Sequence, residues 1–573
     1  MSKTNQAFVP YGIRSDKIFN DSEPDNRARR FLDPQRLVWK SEGEKNSIEG
    51  IDNLFEHRPT QITLDTPNPC ILSNKGEMAS ILLDFGVEFH GYVKLYISSV
   101  SANPTRLRIR FGESAMEAMA ELGGATNATN DHINRDQIIN VQALSMPEIG
   151  PSGFRFVRID VIDEGAVVCI KTIKGIFTYR DIEYKGSFYS NDERLNKIWN
   201  TGAYTVHLNM QEYVWDGIKR DRLVWIGDMH PESSTIQAVF GYDESVPKSL
   251  DLSRDDTPLP KFMNGISSYS IWWILIHYGW YMQNGNKEYL LEQREYMKSL
   301  LEIFCGLVSE DGIETLPDFR FIDWPSAANP KAVHAGLQAL LRMALSYGAI
   351  LCKEMSEDDM ATKCTAAADK LLLHIPDADG NKQAAAFMAL SGLATAAEMN
   401  EKVIAIDGAH RLSTFLGYYV LQAQAQADDI CGALSNIREY WGAMLDRGAT
   451  TFWEDFNLDW LENTGRIDEL VPAGMKDIHG DFGAYCYIGL RHSLCHGWAS
   501  GPTAFLSEYV LGVKPIEPGC KTVRIKPNLG DLQWVEGTYP TPLGVIKIKH
   551  EKTTSGTVVS SINAPDGIKV VMA

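Results

Sequence analysis

Several features that would narrow the class of protein are missing from this sequence of 573 residues. The nine cysteines are odd in number and contain no Cys-x-x-Cys pair, which argues against a disulfide framework and a cysteine-based zinc site. No stretch approaches about 18 consecutive apolar residues, so no transmembrane helix is expected. The N-terminus has no apolar segment typical of a secretory signal. We therefore expect a cytoplasmic protein with reduced thiols, although a trimmed secreted or periplasmic form would look the same.

Clusters of positive charge are also missing, and the formal net charge is −19. An acidic surface repels phosphate backbones, so nucleic acids and anionic membranes are poor partners. No His-Glu-x-x-His motif or comparable ligand set is present, and we expect neither a metal nor a cofactor. The hydrophobic content of 44% and charged content of 23% are those of a globular protein, and the length predicts more than one domain.

The N-terminal region, residues 1–185, has the alternating pattern of β-strands. Apolar and charged residues alternate over 106–111 and again over 154–160, and similar runs at 80–85 and 91–97 are separated by turn residues. Such a series predicts an antiparallel β-sandwich.

The central region, residues 186–511, instead has helical periodicity over long segments such as 195–210, 332–355 and 382–399. Consecutive helical hairpins without intervening strands fit either a solenoid or an (α/α)6 toroid. The absence of a fixed repeat of 20–50 residues favours the toroid.

The C-terminal region, residues 512–573, returns to alternation at 521–527 and 545–550, and further strands are expected at 556–562 and 567–572. The prediction is therefore a multidomain protein. A central all-α (α/α)6 toroid is flanked by an N-terminal antiparallel β-sandwich and a small C-terminal β-sheet domain.

Tryptophan is concentrated in the helical region, where eleven of the 13 fall between residues 199 and 498. Flat indole rings stack on the apolar faces of sugars, so a pocket combining tryptophan with carboxylates is typical of a carbohydrate site. For any single tryptophan, packing in a large helical core is an equally simple explanation.

Three segments combine acidic, basic and aromatic residues. The first, 215–228, has three aspartates, three basic residues and two tryptophans in a glycine-broken loop. The second, 448–456, places Glu454 among aromatic residues, where burial would raise the pKa of its carboxyl. The third places His496 beside Gly497 and Trp498, where the imidazole could bond a sugar hydroxyl. Two carboxylates from different segments of one toroid would suffice for glycoside hydrolysis.

These segments resemble the α-L-rhamnosidases of glycoside hydrolase family 78, and the resemblance covers most of the chain. It is carried by ILLDFGVEFHGY (81–92), FGES (111–114), FRFVRI (154–159), GSFYSND (186–192), GATTFWEDF (448–456) and GTYPTPLG (537–544). In the 215–228 loop, the family's spacing of an acidic residue, the general acid and another aspartate falls on Asp216, Asp221 and Asp228. The family usually has glutamate where this chain has Asp221.

The resemblance implies an inverting glycosidase. Asp221 would be the general acid and Glu454 the general base, with Glu232 in reserve as the acid because it is close in sequence and has a longer side chain. The residues expected to bind substrate are Asp216, Arg220, Trp225, Asp228, Asp323, Trp324, Trp453 and His496.

The expected substrate is a glycoside or oligosaccharide that ends in α-L-rhamnose, and the expected assembly is a monomer or homodimer. Two alternatives remain open. One is a toroid enzyme acting on another deoxy or uronic sugar, because the fold does not choose among sugar chemistries. The other is a non-catalytic carbohydrate-binding protein. This alternative stays open because position 221 is an aspartate where the family usually has glutamate.

Overall fold

The computed structural model describes residues 25–317 and 319–573. The N-terminal stretch examined for a signal sequence, and the first 24 residues of the predicted sandwich domain, lie outside the described residues.

The N-terminal region forms one antiparallel sheet of nine strands. The strands are β1 (Arg27–Leu32), β2 (Arg36–Lys40), β3 (Asn46–Glu49), β4 (Cys70–Asn74), β5 (Ala79–Val100), β6 (Thr105–Gly112), β7 (Asp136–Val141), β8 (Glu148–Val161) and β9 (Val167–Arg180). Their order in the sheet is β3-β4-β9-β5-β8-β6-β7, with β1 paired to β9 and β2 paired to β5. A short helix, α1 (Ala115–Met119), follows β6. The long strand β5 pairs with β2 and β8 near its start and with β9 near its end, so the sheet branches around one apolar core.

The central region is helical, as the periodicity predicts. Its helices are α2 (Glu193–Asn209), α3 (Met229–Val239), α4 (Ser245–Asp255), α5 (Ser267–Asn284), α6 (Lys287–Glu292), α7 (Arg294–Gly306), α8 (Pro330–Glu354), α9 (Asp358–Lys370), α10 (Lys382–Ser391), α11 (Ala396–Met399), α12 (Gly417–Gln426), α13 (Ile430–Asn436), α14 (Gly442–Asp446) and α15 (Gly501–Phe505). Local capping explains several starts. Asn329 and Asn381 each accept the N–H three residues on, and Pro330 occupies the first turn of α8.

Six of these helices form a closed inner ring, in which α3 contacts α5, α5 contacts α8, and the contacts continue through α10, α12 and α15 back to α3. The remaining helices alternate with them along the chain and lie outside the ring. Because each outer helix reverses the chain, the six inner helices run parallel. The predicted (α/α)6 toroid is confirmed.

The C-terminal region divides between two small sheets. One contains β13 (Trp534–Thr541), β14 (Gly544–Lys552) and β15 (Val558–Asn563), and the other β11 (Val513–Pro515), β12 (Thr522–Ile525) and β16 (Lys569–Met572). The first sheet gains a fourth strand, β10 (Ser187–Ser190), which pairs with β13 from the beginning of the helical region. The domain bounds at 185/186 and 511/512 stay predictions.

Helix α8 is long and apolar enough to cross a membrane by length and composition alone. However, 78% of its most apolar stretch is buried inside the protein. It contacts α5, α7, α9 and α10, so its apolar residues pack in the core of the toroid.

Candidate active site

The predicted site residues converge at one end of the helical ring. Because the inner helices run parallel, the loops that precede them all meet at this end, as do their positively polarised N-termini. A cavity of about 110 Å³ opens there. Its lining consists of Asp216, Arg220, Asp221, Trp225, Asp228, Ile266, Tyr269, Phe321, Trp324, Glu454, Cys486, Tyr487, His496 and Trp498.

A larger cavity of about 180 Å³ lies toward the C-terminal ends of the inner helices. Its lining includes six tyrosines and three glutamines, and its single carboxylate, Glu508, is paired with Lys514 at 2.9 Å. Acid/base hydrolysis needs two carboxyl groups. The smaller cavity holds four carboxyl groups, together with most of the predicted site residues, and is the candidate active site.

The loop between α2 and α3 is fixed to the segment that carries His496. Gly217 forms a β-bridge with His496, and the backbone N–H of Gly497 donates to the carbonyl of Asp216 at 2.9 Å. The carboxylate of Asp216 accepts the N–H of Leu223 at 2.9 Å, which closes the loop on itself. Burial raises the pKa of Asp216 well above the ordinary value. A raised pKa extends the pH range in which this carboxyl holds its proton.

Glu454 is buried at the opposite wall of the cavity and is held as an anion. Its Oε1 is 2.5 Å from Nη2 of Arg220, and its Oε2 accepts the N–H of Ser493 at 3.1 Å. Burial by itself would raise the pKa of Glu454. The Arg220 guanidinium, helped by His496, outweighs burial and leaves the pKa below the ordinary value. An anionic carboxylate in a pocket is suited to deprotonate a water molecule.

Asp221 lies on the other branch of the same guanidinium. Nη1 of Arg220 donates to its Oδ1 at 3.0 Å, and His132 of the N-terminal domain approaches the same oxygen at 3.4 Å. Both Asp221 and Arg222 have φ of 53°, in the left-handed region that non-glycine residues rarely occupy. Because one planar guanidinium contacts both carboxyl groups, the two bonded oxygens are no more than about 8 Å apart.

His496 connects Glu454 with Asp228 across the floor of the cavity. Its Nε2 is 3.0 Å from Oδ1 of Asp228, and its Nδ1 is 3.8 Å from Oε1 of Glu454. Burial would lower the pKa of His496, but Glu454 and Asp228 outweigh burial and raise it. Among the described residues, Nδ1 has no hydrogen-bond partner and remains available to a ligand. Such an imidazole can donate to a sugar hydroxyl.

Three family models match the chain and together account for its three regions. The N-terminal domain of glycosyl hydrolase family 78 α-rhamnosidases matches residues 57–171. The bacterial α-L-rhamnosidase six-hairpin glycosidase domain matches residues 183–376. The bacterial α-L-rhamnosidase C-terminal domain matches residues 512–572. The chain belongs to glycoside hydrolase family 78.

The chain is also similar in sequence to individual α-L-rhamnosidases. An α-L-rhamnosidase of Alteromonas sp. (strain LOR) is 26% identical over 71% of this chain and 47% of its own length. One from Formosa agariphila is 22% identical over 82% of this chain and 53% of its own length. The chain thus spans about half the length of these curated relatives.

Solved structures share the fold. A family 78 rhamnosidase of Bacillus sp. GL1 superposes with a TM-score of 0.74 at 22% identity, covering 91% of this chain and 55% of its own. A Klebsiella oxytoca rhamnosidase with rhamnose bound gives a TM-score of 0.65 at 18% identity, covering 85% of this chain and 96% of its own.

Two residues predicted to bind substrate do not line the family 78 pocket. Asp323 is buried behind the wall, where it accepts from the N–H of Ser326 at 2.9 Å and from the hydroxyl of Ser413 at 3.0 Å. It therefore shapes the loop before α8. Trp453 is 1% exposed and packs edge-on against Phe456, so it is a core residue.

Glu232, the reserve acid, is also outside the pocket lining. It lies in the first turn of α3, is 0% exposed and has no partner for either carboxyl oxygen among the described residues. Burial, with smaller contributions from Asp228 and Asp216, raises its pKa well above the ordinary value. Glu232 packs against Gly497, where an added Cβ would lie 1.8 Å from Oε1 of Glu232.

Several pocket residues escaped the sequence prediction. Tyr269, Tyr487 and Trp498 complete the aromatic wall, and the hydroxyl of Tyr269 donates to Asp228 at 3.4 Å. Trp498 follows the His496 segment and could have been selected on the same pattern. Tyr269 and Tyr487 belong to segments with no local signal, because only the tertiary fold brings them to the pocket.

Proposed function

We propose that this chain hydrolyses terminal α-L-rhamnosides with inversion at the anomeric carbon. The observation that carries the proposal is the bridging guanidinium of Arg220, which holds Asp221 and Glu454 together at an aromatic-lined cavity. Inversion needs room for one water between the acid and the base, a separation of roughly 6.5–9.5 Å. The upper limit set by the shared guanidinium is compatible with that range.

In the proposed reaction, Asp221 gives its proton to the glycosidic oxygen as the bond from that oxygen to the anomeric carbon breaks. A water molecule attacks the anomeric carbon from the opposite face and loses a proton to Glu454. The products are the free sugar and the alcohol of the leaving group. Glu454 then passes its proton to water in the cavity, and Asp221 regains a proton from solvent, to which its side chain is 18% exposed.

The lowered pKa of Glu454 keeps the base ionised in the resting protein. Asp221, although one methylene shorter than glutamate, lines the cavity, so no loop rearrangement is needed to bring it there. Asp216, Asp228 and His496 remain to bond ring hydroxyls. Trp225, Trp324 and Trp498 offer apolar faces to C–H groups and to the methyl group of a 6-deoxy sugar.

The pocket chemistry favours a neutral deoxy sugar over a uronic acid. Among the described residues of the lining, the cationic side chains are Arg220 and His496, and both face carboxylates. A sugar carboxylate would therefore enter without a free cation, which is costly in a buried site. The expectations of a monomer or homodimer, of a cytoplasmic location, and of no nucleic-acid or membrane partner stay predictions.

The direct test is release of p-nitrophenol from p-nitrophenyl α-L-rhamnopyranoside by wild type and by Asp221→Asn, Glu454→Gln and Glu232→Gln. We expect turnover by wild type, large losses for the first two variants and little loss for the third. Asp455→Asn is a matched control, because this half-buried neighbour of Glu454 faces a different cleft. Sugar binding without turnover, unchanged in Asp221→Asn/Glu454→Gln, would instead support the carbohydrate-binding alternative.

A further inference from the structure

A buried ionic cluster joins the N-terminal sheet domain to the loop that carries Asp221. Its centre is Lys219, whose ammonium lies 2.9 Å from Oε2 of Glu113 and 3.2 Å from Oε1 of Glu117. The ammonium also donates to the carbonyls of Leu490 at 3.0 Å and His492 at 2.5 Å. Glu113 lies between β6 and α1, and Glu117 lies within α1. The sheet domain therefore supplies the anions and the toroid supplies the cation.

Glu113 has a second set of contacts, on the segment beside the proposed base. Its Oε2 accepts the N–H of Leu494 at 2.6 Å, and its Oε1 accepts the hydroxyl of Ser493 at 3.3 Å. Ser493 in turn donates its N–H to Glu454. One carboxyl group of the sheet domain therefore contacts both the loop that carries Asp221 and the segment that hydrogen-bonds Glu454.

The cluster has some features of a metal site, since donor atoms of Glu113, Glu117 and His479 lie within 4.8 Å of one another. The Lys219 ammonium already supplies the positive charge. Burial alone would lower the pKa of Lys219, but Glu113 and Glu117 outweigh burial and raise it. His479 is occupied on both ring nitrogens, by the Ser114 hydroxyl and the His492 carbonyl. The group held by the two glutamates is therefore a lysine.

We infer that Glu113 and Lys219 are positioning residues of the active site, through which the N-terminal domain holds the acid loop and the base in register. The inference rests on the proposed function for its kinetic consequences. Asp221 lies two residues beyond Lys219 in a loop without regular secondary structure and with two consecutive left-handed residues. Side-chain anchors must therefore replace the backbone hydrogen bonds that a helix or strand would provide.

The test compares the single variants Glu113→Gln and Lys219→Met with the double variant. Lys219→Met leaves Glu113 and Glu117 without their cation, whereas Glu113→Gln leaves Lys219 paired with Glu117 and the double variant leaves Glu117 alone. We expect Lys219→Met to lose the most stability and the double variant to regain part of that loss, because only one carboxyl group is then without a cation. All three should lose about 100-fold in kcat, as expected for misplaced catalytic groups, with little change in KM.

Two further readouts separate positioning from stability. In all three variants the acidic limb of the kcat/KM profile should move to higher pH, because a displaced Arg220 or Ser493 no longer lowers the pKa of Glu454. Amide hydrogen exchange should accelerate in residues 216–224 and 491–496 ahead of the surrounding toroid. Hydrogen exchange needs no substrate, so it still decides the inference if wild type proves inactive on rhamnosides and the proposed function fails.

Asp160→Asn is the matched control. It disrupts an equally buried ionic cluster in the same domain, in which Asp160 lies 2.8 Å from Arg110 and 2.7 Å from Arg158 and has no hydrogen bond to the described residues of the toroid. This variant should lose stability while its pH profile and the exchange of residues 216–224 stay as in wild type. The inference is overturned if the double variant recovers kcat along with stability, or if Asp160→Asn shifts the pH profile equally.

Discussion

Replacing Arg220 with glutamine removes the cation shared by the proposed acid and base. The guanidinium is 4% exposed and lies 2.5 Å from Glu454, so solvent screens the pair very little. It is also the strongest of the effects that lower the pKa of Glu454 against burial. In Arg220→Gln, burial is opposed only by the weaker contributions of neighbours such as His496, and the pKa of Glu454 must rise.

An opposite charge in direct contact shifts a carboxyl pKa by about 1–3 units. The acidic limb of kcat/KM should therefore move to higher pH by about 1–3 units in Arg220→Gln. At a pH below the acidic limb, each pH unit of this displacement lowers kcat/KM about tenfold, which corresponds to about 1.4 kcal/mol. Activity should recover partly, not wholly, at alkaline pH, because the variant also loses the hydrogen bond that positions Asp221.

The stability of the same variant has a defined pH dependence. A carboxyl whose pKa is lowered by folding stabilises the protein above its unfolded pKa, and the contribution is lost as pH falls through the folded pKa. Arg220→Gln abolishes this contribution, so its Tm deficit should be largest above about pH 4.5 and should narrow in more acidic buffer.

The assay is a pH series of initial rates on p-nitrophenyl α-L-rhamnopyranoside, with Tm measured in the same buffers. Arg194→Gln is the control, because it breaks an exposed pair with Asp446, and neither residue lines the pocket. That pair should contribute little. An acidic limb that stays at its wild-type pH in Arg220→Gln would refute the assignment of Glu454 as the titrating base.

Three further expectations concern single residues of the site. Asp221→Asn should lower kcat/KM by about 10²–10⁴-fold. The loss should be greater for alkyl rhamnosides than for the p-nitrophenyl rhamnoside, because p-nitrophenol is a good leaving group that needs less protonation. Equal losses on the two kinds of substrate would argue against Asp221 as the acid. Glu232→Gln should raise Tm more at pH 8 than at pH 5, because the buried carboxyl destabilises the fold as pH rises through its unfolded pKa. A fall in Tm at pH 8 would contradict the raised pKa of Glu232. Gly497→Ala should lower the free energy of unfolding by about 1–3 kcal/mol, because the added methyl group overpacks against Glu232. Thermal unfolding should show partial recovery of stability when Glu232→Ala is added. No recovery would place the clash elsewhere.

Much of the architecture follows from local patterns. The alternation over 106–111 and 154–160 falls on β6 and β8, and the helical periodicity over 332–355 falls on α8. These elements bury one face against the core, so their sequences carry the period of that face. The loop 215–228 shows no such period. Its two glycines stand among charged residues that a helix or strand would not be expected to bury.

The site was only partly predictable, because burial depends on distant segments. Asp221, Glu454 and His496 meet at one pocket as the motif spacing suggests. Trp453 precedes Glu454 directly, yet the backbone between them turns one side chain to the core and the other to the cavity. Nor could local patterns reveal that Lys219 pairs with Glu117, because these residues are 102 positions apart in two domains.

Hydrolysis with inversion by the Asp221 and Glu454 pair determines which anomer of rhamnose is released first. Proton NMR of early hydrolysis, with wild type acting on p-nitrophenyl α-L-rhamnopyranoside, tests this directly by identifying the first anomer of rhamnose released. We predict that the β-anomer forms first and then equilibrates, and that Glu454→Gln abolishes its formation. Initial release of the α-anomer, or no release of rhamnose from the glycoside, would contradict the account.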